Sequence, residues 1–213
     1  MGKRTIIFGD IHGCLAEWQE LLAKVSATSE DQLISIGDLV CKGPSTKNTL
    51  DLAMSLPNFQ CVMGNHEWSL LKRWKKGTLE KSSNSYQKKA IKELSDNLDH
   101  YMNYIDQFPF YLKFPDFNVV HAGLRPDIAL KDQKKSDLMT LRTVPPDKKP
   151  WYEYYDKPKL IVHGHWAVQG LVVRDNVIGL DTGCVYGKKL TAVILPEREI
   201  VSVNAKKVYH SIH

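Results

Sequence analysis

The sequence predicts an α/β fold, and three features of its pattern support this prediction. Short apolar segments alternate with amphipathic ones over roughly the first 65 residues, as in strand–helix–strand units with parallel strands. After residue 159 the apolar segments follow one another without helices between them, which favours antiparallel or mixed pairing. Several predicted strands end in Gly followed by Asp, Asn or His, and ligand sites in α/β folds gather at the carboxyl ends of strands.

The first part of the chain contains five predicted elements. RTIIF is rich in Thr and Ile and is stopped by Gly9, which is typical of a strand. LAEWQELLAKV has its apolar residues at helical spacing, and Ser45 is suited to begin the second helix as its N-cap. The predicted strands are 4–8, 32–36 and 58–63, and the predicted helices are 15–25 and 45–56.

The remainder of the chain changes character after the third strand. Residues 67–107 are mostly polar and predict helices, interrupted at the segment SSNS, residues 82–85. Pro115 and Asp116 predict the turn of a hairpin, and the Lys-, Asp- and Pro-rich segment 125–158 predicts loops and a short helix. The predicted strands of this half are 110–114, 117–120, 159–162, 170–173, 176–180, 190–195 and 199–203. No repeat or linker divides the chain, so we expect one domain, residues 1–213.

Composition excludes several classes of protein. The 213 residues are 43% hydrophobic and 25% charged, which allows a buried core and a solvated surface. No apolar run approaches the roughly 18 residues of a membrane helix, and MGKRTIIFGD has too few apolar residues before Gly9 for a signal peptide. We therefore expect a cytoplasmic protein without a membrane partner.

Cysteines and charge give weaker indications. The four cysteines are widely spaced and form no CxxC pair, which favours buried thiols over a zinc ribbon or disulfides. The net charge of +5 favours anionic substrates. KRWKK, residues 72–76, is typical of a solvated helix face, so a nucleic-acid partner is not indicated.

Polar residues follow five of the predicted strands and form a candidate metal site. Asp, His and Asn suit a borderline-to-hard divalent ion such as Mn²⁺, Fe²⁺ or Zn²⁺. One Gly-Asp turn or one strand-end histidine is more often structural, but the recurrence in one small chain favours a metal site. Six ligands exceed the need of one ion and suit two ions about 3.5–4 Å apart that share a carboxylate. The candidate residues are Asp10, His12, Asp38, Asn65, His66, His121, His163 and His165, whereas His100, His210 and His213 lack this context.

The successive motifs resemble those of a known family. They are GDIHG, GDLVCKGP, GNHE, HAGL and HGHW, and they begin at residues 9, 37, 64, 121 and 163. This set resembles the calcineurin-like metallophosphoesterases, and within them the phosphoprotein-phosphatase branch. GDLVCKGP, GHWA and LDTGCVYGKKLTAV are most similar to the symmetrical diadenosine tetraphosphatase-like members. The resemblance extends from residue 5 to about residue 195.

The resemblance implies a fold and a set of roles. The fold would be two mixed β-sheets packed as a sandwich and flanked by helices, with two divalent ions at one edge. Mn²⁺ is favoured, with Fe, Zn, Co or Ni as alternatives. By resemblance, Asp10 and His12 would bind the first ion, Asp38 would bridge, and His66 would act as general acid. The second ion would be bound by Asn65, His121 and His165, and His163 would be structural.

Two basic residues are candidates for binding phosphate together with Asn65. Protein Ser/Thr phosphatases carry Asp-Arg where this chain has Cys41-Lys42, which argues against a typical protein phosphatase. Lys42 supplies charge but not the bidentate fork of arginine. Arg142 resembles the substrate arginine of tetraphosphatase-like enzymes, and a solvent-exposed surface arginine remains the alternative.

These residues predict a metal-dependent phosphohydrolase. Two ions would polarise the phosphate and lower the pKa of the water between them, and the resulting hydroxide would attack phosphorus in line. The expected substrate is a dinucleoside tetraphosphate or related nucleotide. A phosphomonoesterase acting on phosphoproteins and a polyphosphatase remain alternatives. An inactive metal-binding scaffold is disfavoured because all six ligands and His66 are present. Segments 68–107 and 125–158 would set the specificity.

Overall fold

The computed structural model of the chain describes residues 4–82 and 84–211. The described part does not include His213 or the basic start of the chain before Arg4, both of which are named above. The predicted α/β class is confirmed, because two five-stranded mixed sheets are accompanied by helices. Among the described residues, no helix has the length and apolar character needed to cross a membrane.

Twelve strands form the sheets in the described part of the chain. They are β1 (Thr5–Phe8), β2 (Gln32–Ser35), β3 (Phe59–Cys61), β4 (Tyr111–Lys113), β5 (Phe117–Val120), β6 (Thr143–Val144), β7 (Lys149–Pro150), β8 (Leu160–His163), β9 (Val172–Val173), β10 (Val177–Gly179), β11 (Lys189–Leu195) and β12 (Glu199–Asn204). The first sheet has the order β12-β11-β1-β2-β3 and the second the order β4-β5-β8-β10-β9. Strands β6 and β7 form a separate two-stranded sheet.

Each large sheet contains three neighbouring parallel strands. Strands β1, β2 and β3 are parallel, and β11 joins them antiparallel to β1. Strands β5, β8 and β10 are also parallel, while β4 and β9 pair antiparallel at the two edges. The carboxyl ends of each parallel trio therefore lie at one edge of their sheet.

Within residues 4–82 and 84–211, six α-helices accompany the sheets. They are α1 (Leu15–Lys24), α2 (Thr46–Ser55), α3 (Asn65–Lys75), α4 (Ser85–Leu94), α5 (Leu98–Asp106) and α6 (Lys135–Thr140). Three of them, α3, α4 and α5, occupy the segment that the sequence predicts as helical with a break. Short 3₁₀ turns at Leu79–Lys81 and Ser95–Asn97 separate these three helices.

Alternation along the strands gives the sandwich its layers. Ile7 of β1 and Val119 of β5 belong to one buried cluster between the two sheets, whereas Ile6 packs with Trp18 of α1 on the outer face of the first sheet. Val120 instead joins Trp151 on the outer face of the second sheet. This follows from the period of two, which sends successive side chains to opposite faces of a sheet. The predicted sandwich flanked by helices is confirmed.

Some boundaries differ from those predicted. The third strand ends at Cys61 instead of continuing to 63, and α3 begins at Asn65, two residues earlier than predicted. The backbone of Met63 turns away to donate to the carbonyl of Pro109, which ends the pairing. The segment 125–158 contains the β6–β7 hairpin in addition to a short helix. Ser45 precedes α2, but its side chain makes no capping hydrogen bond.

Candidate metal centre

Five strand ends bring the predicted residues to a shared edge of the sandwich. Asp10 follows β1, Asp38 follows β2, and Asn65 follows β3, all in the first sheet. His121 follows β5 and His165 follows β8 in the second sheet. The parallel pairing within each trio places these ends side by side, so the predicted convergence is present in the structure.

The carboxylate of Asp38 lies at the centre of this group. Its Oδ2 atom is 3.5 Å from His12 Nε2, 3.6 Å from His121 Nε2 and 3.9 Å from His66 Nε2. Asp38 thereby belongs to two groups of metal-ligand type, one with His12 and His66 and one with His121 and His165. His12 and Asp38 both have positive φ, 49° and 54°. Such strained backbone in residues other than glycine is characteristic of functional sites.

The second donor group is compact. The Nε2 atom of His121 is 3.0 Å from Asn65 Oδ1 and 3.2 Å from His165 Nδ1. The backbone N–H of His165 donates to both oxygens of Asp10, at 3.2 and 3.3 Å, and so places Asp10 beside this group. Nitrogen and oxygen lone pairs that meet in this way are suited to a shared cation.

Backbone carbonyls orient two of the imidazoles. His121 Nδ1 is 2.8 Å from the carbonyl oxygen of Ile36, and His12 Nδ1 is 3.1 Å from that of Val40. A carbonyl accepts only, so each Nδ1 carries the proton and each Nε2 presents a lone pair towards Asp38.

Glu67, in the first turn of α3, holds the loop that carries Asp38. One oxygen of its carboxylate accepts the N–H of Asp38 at 2.9 Å, and the other accepts the N–H of Val40 at 3.0 Å. Burial raises the pKa of Glu67 to about 8, and the charge of Asp38 adds to this rise.

Close approach requires glycine beside two of the acids. A Cβ atom at Gly64 would lie 2.2 Å from Asp38 Oδ1, and one at Gly164 would lie 2.1 Å from Asp10 Oδ1. Any larger residue would displace the carboxylate, which explains why Gly precedes Asn65 and His165 in these two motifs.

In the protein alone, burial shifts the pKa values of several acids and histidines at the centre away from their usual range. Burial raises the pKa of Asp10 well above its usual range, and the charges of Asp181 and Asp38 raise it further. Burial likewise raises the pKa of Asp181 to about 6. Burial lowers the pKa of His66 to about 4 and that of His165 to about 2, so both rings are neutral at pH 7. Buried acids with neutral imidazoles beside them favour binding of cations.

A cavity of about 330 Å³ opens over the centre. Lys42 and Arg142, the predicted phosphate-binding residues, both lie on its wall. The ammonium of Lys42 donates to Tyr186 Oη at 2.9 Å and lies 3.4 Å from His12 Nε2. Arg142 is exposed and donates to the carbonyl oxygen of His165 at 3.2 Å. The wall is formed by Asp10, His12, Asp38, Lys42, Asn65, His66, Arg142, His165, Trp166, Ala167, Val168, Asp181 and Tyr186.

Several residues at the site are absent from the candidates chosen by sequence. Asp181 lies two residues after the end of β10 and could have been found as an acid that follows a strand, although Leu180 stands where a glycine precedes Asp10 and Asp38. Glu67 and Tyr186 do not follow strands directly, but they lie within the motifs GNHE and LDTGCVYGKKLTAV. His210 has no motif context, yet its ring lies 5.6 Å from that of Tyr86, which is 5.4 Å from the ring of His66.

His163 lies apart from these groups. Its ring is buried 5.2 Å from that of Trp151, on the outer face of the second sheet, and it is not part of the cavity wall. This position agrees with a structural residue.

A two-sheet α/β sandwich with Asp, Asn and His donors at its shared edge defines the metallophosphoesterase class. Residues 3–200 match the calcineurin-like phosphoesterase family, and the chain belongs to that family. The protein is accordingly a hydrolase of phosphoric ester or anhydride bonds.

The relatives cover nearly the whole chain. A bis(5'-nucleosyl)-tetraphosphatase of the asymmetrical type from Oceanobacillus iheyensis is 30% identical, over 95% of this chain and 93% of the relative. A symmetrical bis(5'-nucleosyl)-tetraphosphatase from Aromatoleum aromaticum is 26% identical, over 93% and 96% of the two chains. A crystal structure of a candidate diadenosine tetraphosphatase is 32% identical, with a TM-score of 0.82 over 95% of this chain and 94% of that chain.

Proposed function

We propose that this protein uses two divalent cations to hydrolyse a phosphoanhydride bond of a dinucleoside tetraphosphate or a related nucleotide. The observation that carries the proposal is the position of Asp38, whose carboxylate belongs to both groups of metal-ligand type. A shared carboxylate between two donor groups is the arrangement that suits a pair of cations in phosphoryl-transfer enzymes.

The donor atoms fit such a pair. In this proposal Asp10, His12 and Asp38 hold one cation, and Asp38 is shared with the second. The second cation is held in addition by Asn65, His121 and His165. Oxygen and imidazole donors suit Mn²⁺, with Fe, Zn, Co or Ni as alternatives. When bound, the cations would supply Lewis acidity and activate a water molecule for in-line attack on phosphorus.

The side chains of the cavity wall would act on the substrate itself. Lys42 and Arg142 would neutralise the charge that develops on the phosphate oxygens, and the amide of Asn65 would donate to one of them. His66 would protonate the departing oxygen. Because its ring is neutral at pH 7 in the protein alone, this role depends on the bound phosphate, whose negative charge favours the protonated imidazole.

A nucleotide substrate is supported by the relatives and by the shape of the cavity. The relatives from Oceanobacillus iheyensis and Aromatoleum aromaticum are bis(5'-nucleosyl)-tetraphosphatases, one of the asymmetrical and one of the symmetrical type. Trp166 and Tyr186 add flat aromatic surface beside the cationic side chains, which suits a base attached to a polyphosphate. We also propose a cytoplasmic location.

Product analysis with diadenosine tetraphosphate and Mn²⁺ tests the proposal. ADP as the sole product would establish symmetrical cleavage, and equal amounts of ATP and AMP would establish asymmetrical cleavage. Release of phosphate from a phosphoserine peptide, with no cleavage of the tetraphosphate, would instead show a phosphomonoesterase. Bound cations without turnover of any of these substrates would show a scaffold.

The shared carboxylate provides a second test. We expect two Mn²⁺ ions per chain by elemental analysis, and loss of activity after chelation. Asp38→Asn should lower the affinity for both ions by more than about 100-fold. Substitution of residues that only support metal ligands already lowers the affinity by about 10–100-fold. Asp116→Asn, in the exposed β4–β5 turn, is the matched control and should behave like the unmodified protein. Two tightly bound ions in Asp38→Asn would contradict a bridging role.

A further inference from the structure

A second group of ligand-type side chains lies behind the metal centre. Cys14, Glu17 and Cys184 have ligand atoms within 4.8 Å of one another, and all three are fully buried. Cys14 immediately precedes α1, and Glu17 lies in the first turn of that helix. Cys184 begins the 3₁₀ turn between β10 and β11. We call these three residues the thiol cluster.

One oxygen of Glu17 lacks a partner in this cluster. Its Oε1 atom accepts the backbone N–H of Lys206 at 2.9 Å and the hydroxyl of Tyr209 at 2.7 Å. Its Oε2 atom is buried and has no hydrogen-bond partner in the part of the chain that the structure describes. A buried carboxylate oxygen without a partner is costly, because the water that it left is not replaced.

The two thiols do not supply that missing partner. The Sγ atom of Cys14 donates instead to the carbonyl oxygen of His12, at 3.9 Å. A cation held by the cluster would give Glu17 Oε2 the partner that it lacks, and coordination removes the protons of the thiols that bind it.

We propose that Cys14, Cys184 and Glu17 bind one Zn²⁺ ion, at a site separate from the dinuclear centre. Thiolate sulfur and carboxylate oxygen are both zinc ligands. A Zn–S bond of about 2.3 Å with tetrahedral angles requires sulfurs about 3.8 Å apart, within the span of the cluster. Binding would form two Zn–S bonds and one Zn–O bond and would release the two thiol protons to solvent.

The position of the cluster indicates a structural role for the ion. Cys14 lies two residues after His12, and Cys184 lies three residues after Asp181 on the cavity wall. Glu17 is bonded to the segment that contains Lys206 and Tyr209. A single ion would therefore join three distant segments of the chain behind the metal centre.

Cobalt spectroscopy distinguishes this site from the dinuclear centre. The metal-free protein would be titrated with Co²⁺, which takes the place of zinc and gives an intense near-ultraviolet charge-transfer band only when sulfur is a ligand. The dinuclear centre has no cysteine donor, so its Co²⁺ ions would not produce this band. We expect the amplitude of the band at saturation to correspond to one sulfur-bound Co²⁺ per chain, and the band to disappear when Zn²⁺ is added in excess of all three proposed sites.

Variants assign the band to the cluster. Cys14→Ser and Cys184→Ser should each remove it, whereas Cys61→Ser, which alters a buried thiol in β3 outside the cluster, should retain it. Glu17→Gln should lower the affinity for Zn²⁺ and leave the sulfur band in place. The unmodified protein alone decides the question if the serine variants fail to fold. Absence of the band at saturating Co²⁺, whether the thiols are free or joined as a disulfide, would overturn the proposal, as would a band that persists in Cys14→Ser.

Discussion

Asn65 and His66 are neighbours in the chain with different proposed roles. Asn65 directs its Oδ1 atom at His121, in the second donor group, whereas the His66 ring faces Asp38 and the ring of His12. Loss of a general acid costs about 10²–10⁴-fold in rate, and the cost depends on how strongly the leaving group needs a proton. The proposed roles of Asn65 and His66 can therefore be distinguished by how the rate of each variant depends on the leaving group.

We expect His66→Asn to keep both cations and to be slow on phosphoserine or an alkyl phosphate. With p-nitrophenyl phosphate the defect should shrink, because that leaving group departs without a proton. Asn65→Ala should instead lose metal occupancy and be equally poor on both substrates. Steady-state rates and elemental analysis of the two variants provide the measurement. Equal defects of His66→Asn on both substrates, with metal intact, would leave His66 as a structural or phosphate-binding residue.

Lys42 is proposed to act through its charge. Its ammonium is largely buried between Tyr186 and His12, and hydrogen bonds that involve a charged group are worth about 1.5–3 kcal/mol. We expect Lys42→Gln to lower kcat/KM by roughly 10–150-fold without loss of metal, and Lys42→Arg to restore most of this loss. Lys76→Gln, at the exposed end of α3, is the control. Equal activity of the Gln and Arg variants would contradict a role for charge.

Arg142 is the residue for which sequence and structure leave two alternatives. It is exposed, and it also lies on the cavity wall beside His165. If it binds phosphate, Arg142→Ala should raise KM for diadenosine tetraphosphate and leave metal content unchanged. Unchanged steady-state kinetics in this variant would remove Arg142 from the site.

Side chains that follow strands were accessible to prediction, whereas those that depend on distant contacts were not. Asp10 and Asp38 could be identified because a strand, a glycine and an acid are adjacent in sequence. Glu67 acts on a loop 27 residues earlier, and its role follows only from the hydrogen bond to Val40. Cys14 and Cys184 are much farther apart in the chain, and widely spaced cysteines gave no sign of a cluster.

At the scale of elements, the start of α3 is fixed to the loop after β2. Glu67 bonds to two backbone N–H groups of that loop, and the backbone N–H of His66 donates to Asp38 Oδ1 at 3.1 Å. Gly64 allows this contact because no Cβ stands between helix and carboxylate. These contacts hold the first turn of α3 at the site, so the helix begins earlier than predicted. Helix periodicity in the local sequence does not indicate such contacts.

This arrangement predicts a selective effect of Glu67→Gln. The amide keeps the size of the side chain but offers one acceptor where two N–H groups need one each, so one hydrogen bond is lost. We expect metal affinity to fall by about 10–100-fold, as for other residues that support ligands, with the far-ultraviolet circular dichroism unchanged. Glu80→Gln, at an exposed position after α3, is the control. Unaltered metal affinity in Glu67→Gln, measured by titration with Mn²⁺, would show that the loop is held by other contacts.

At the scale of the molecule, the first sheet was easier to predict than the second. Its parallel trio is joined by short helical connections, and each unit is visible in a local window of sequence. In the second sheet β5 pairs with β8, about 40 residues later, and β10 pairs with both β8 and β9. Periodicity indicates such strands but not their partners, so the sandwich was predicted through the family resemblance.

The origin of the ligands in both sheets links metal binding to the stability of the whole fold. Asp38 and Asn65 come from the first sheet and His121 and His165 from the second, so unfolding of either sheet destroys the site.

At a free cation concentration of 100 times Kd, one such site stabilises the native state by about 2.7 kcal/mol. For a chain of this length that corresponds to a rise in Tm of about 5–11 °C. Mn²⁺ should produce at least this rise in the metal-free protein, and about twice this rise when both sites are filled. Thiolate ligands do not favour Mn²⁺, so the thiol cluster would contribute little. Asp38→Asn should show little rise under the same conditions, while Asp116→Asn should show all of it. Two bound Mn²⁺ ions in the unmodified protein with no change in Tm, measured by scanning calorimetry, would mean that the unfolded chain binds them equally well and that the site does not join the two sheets.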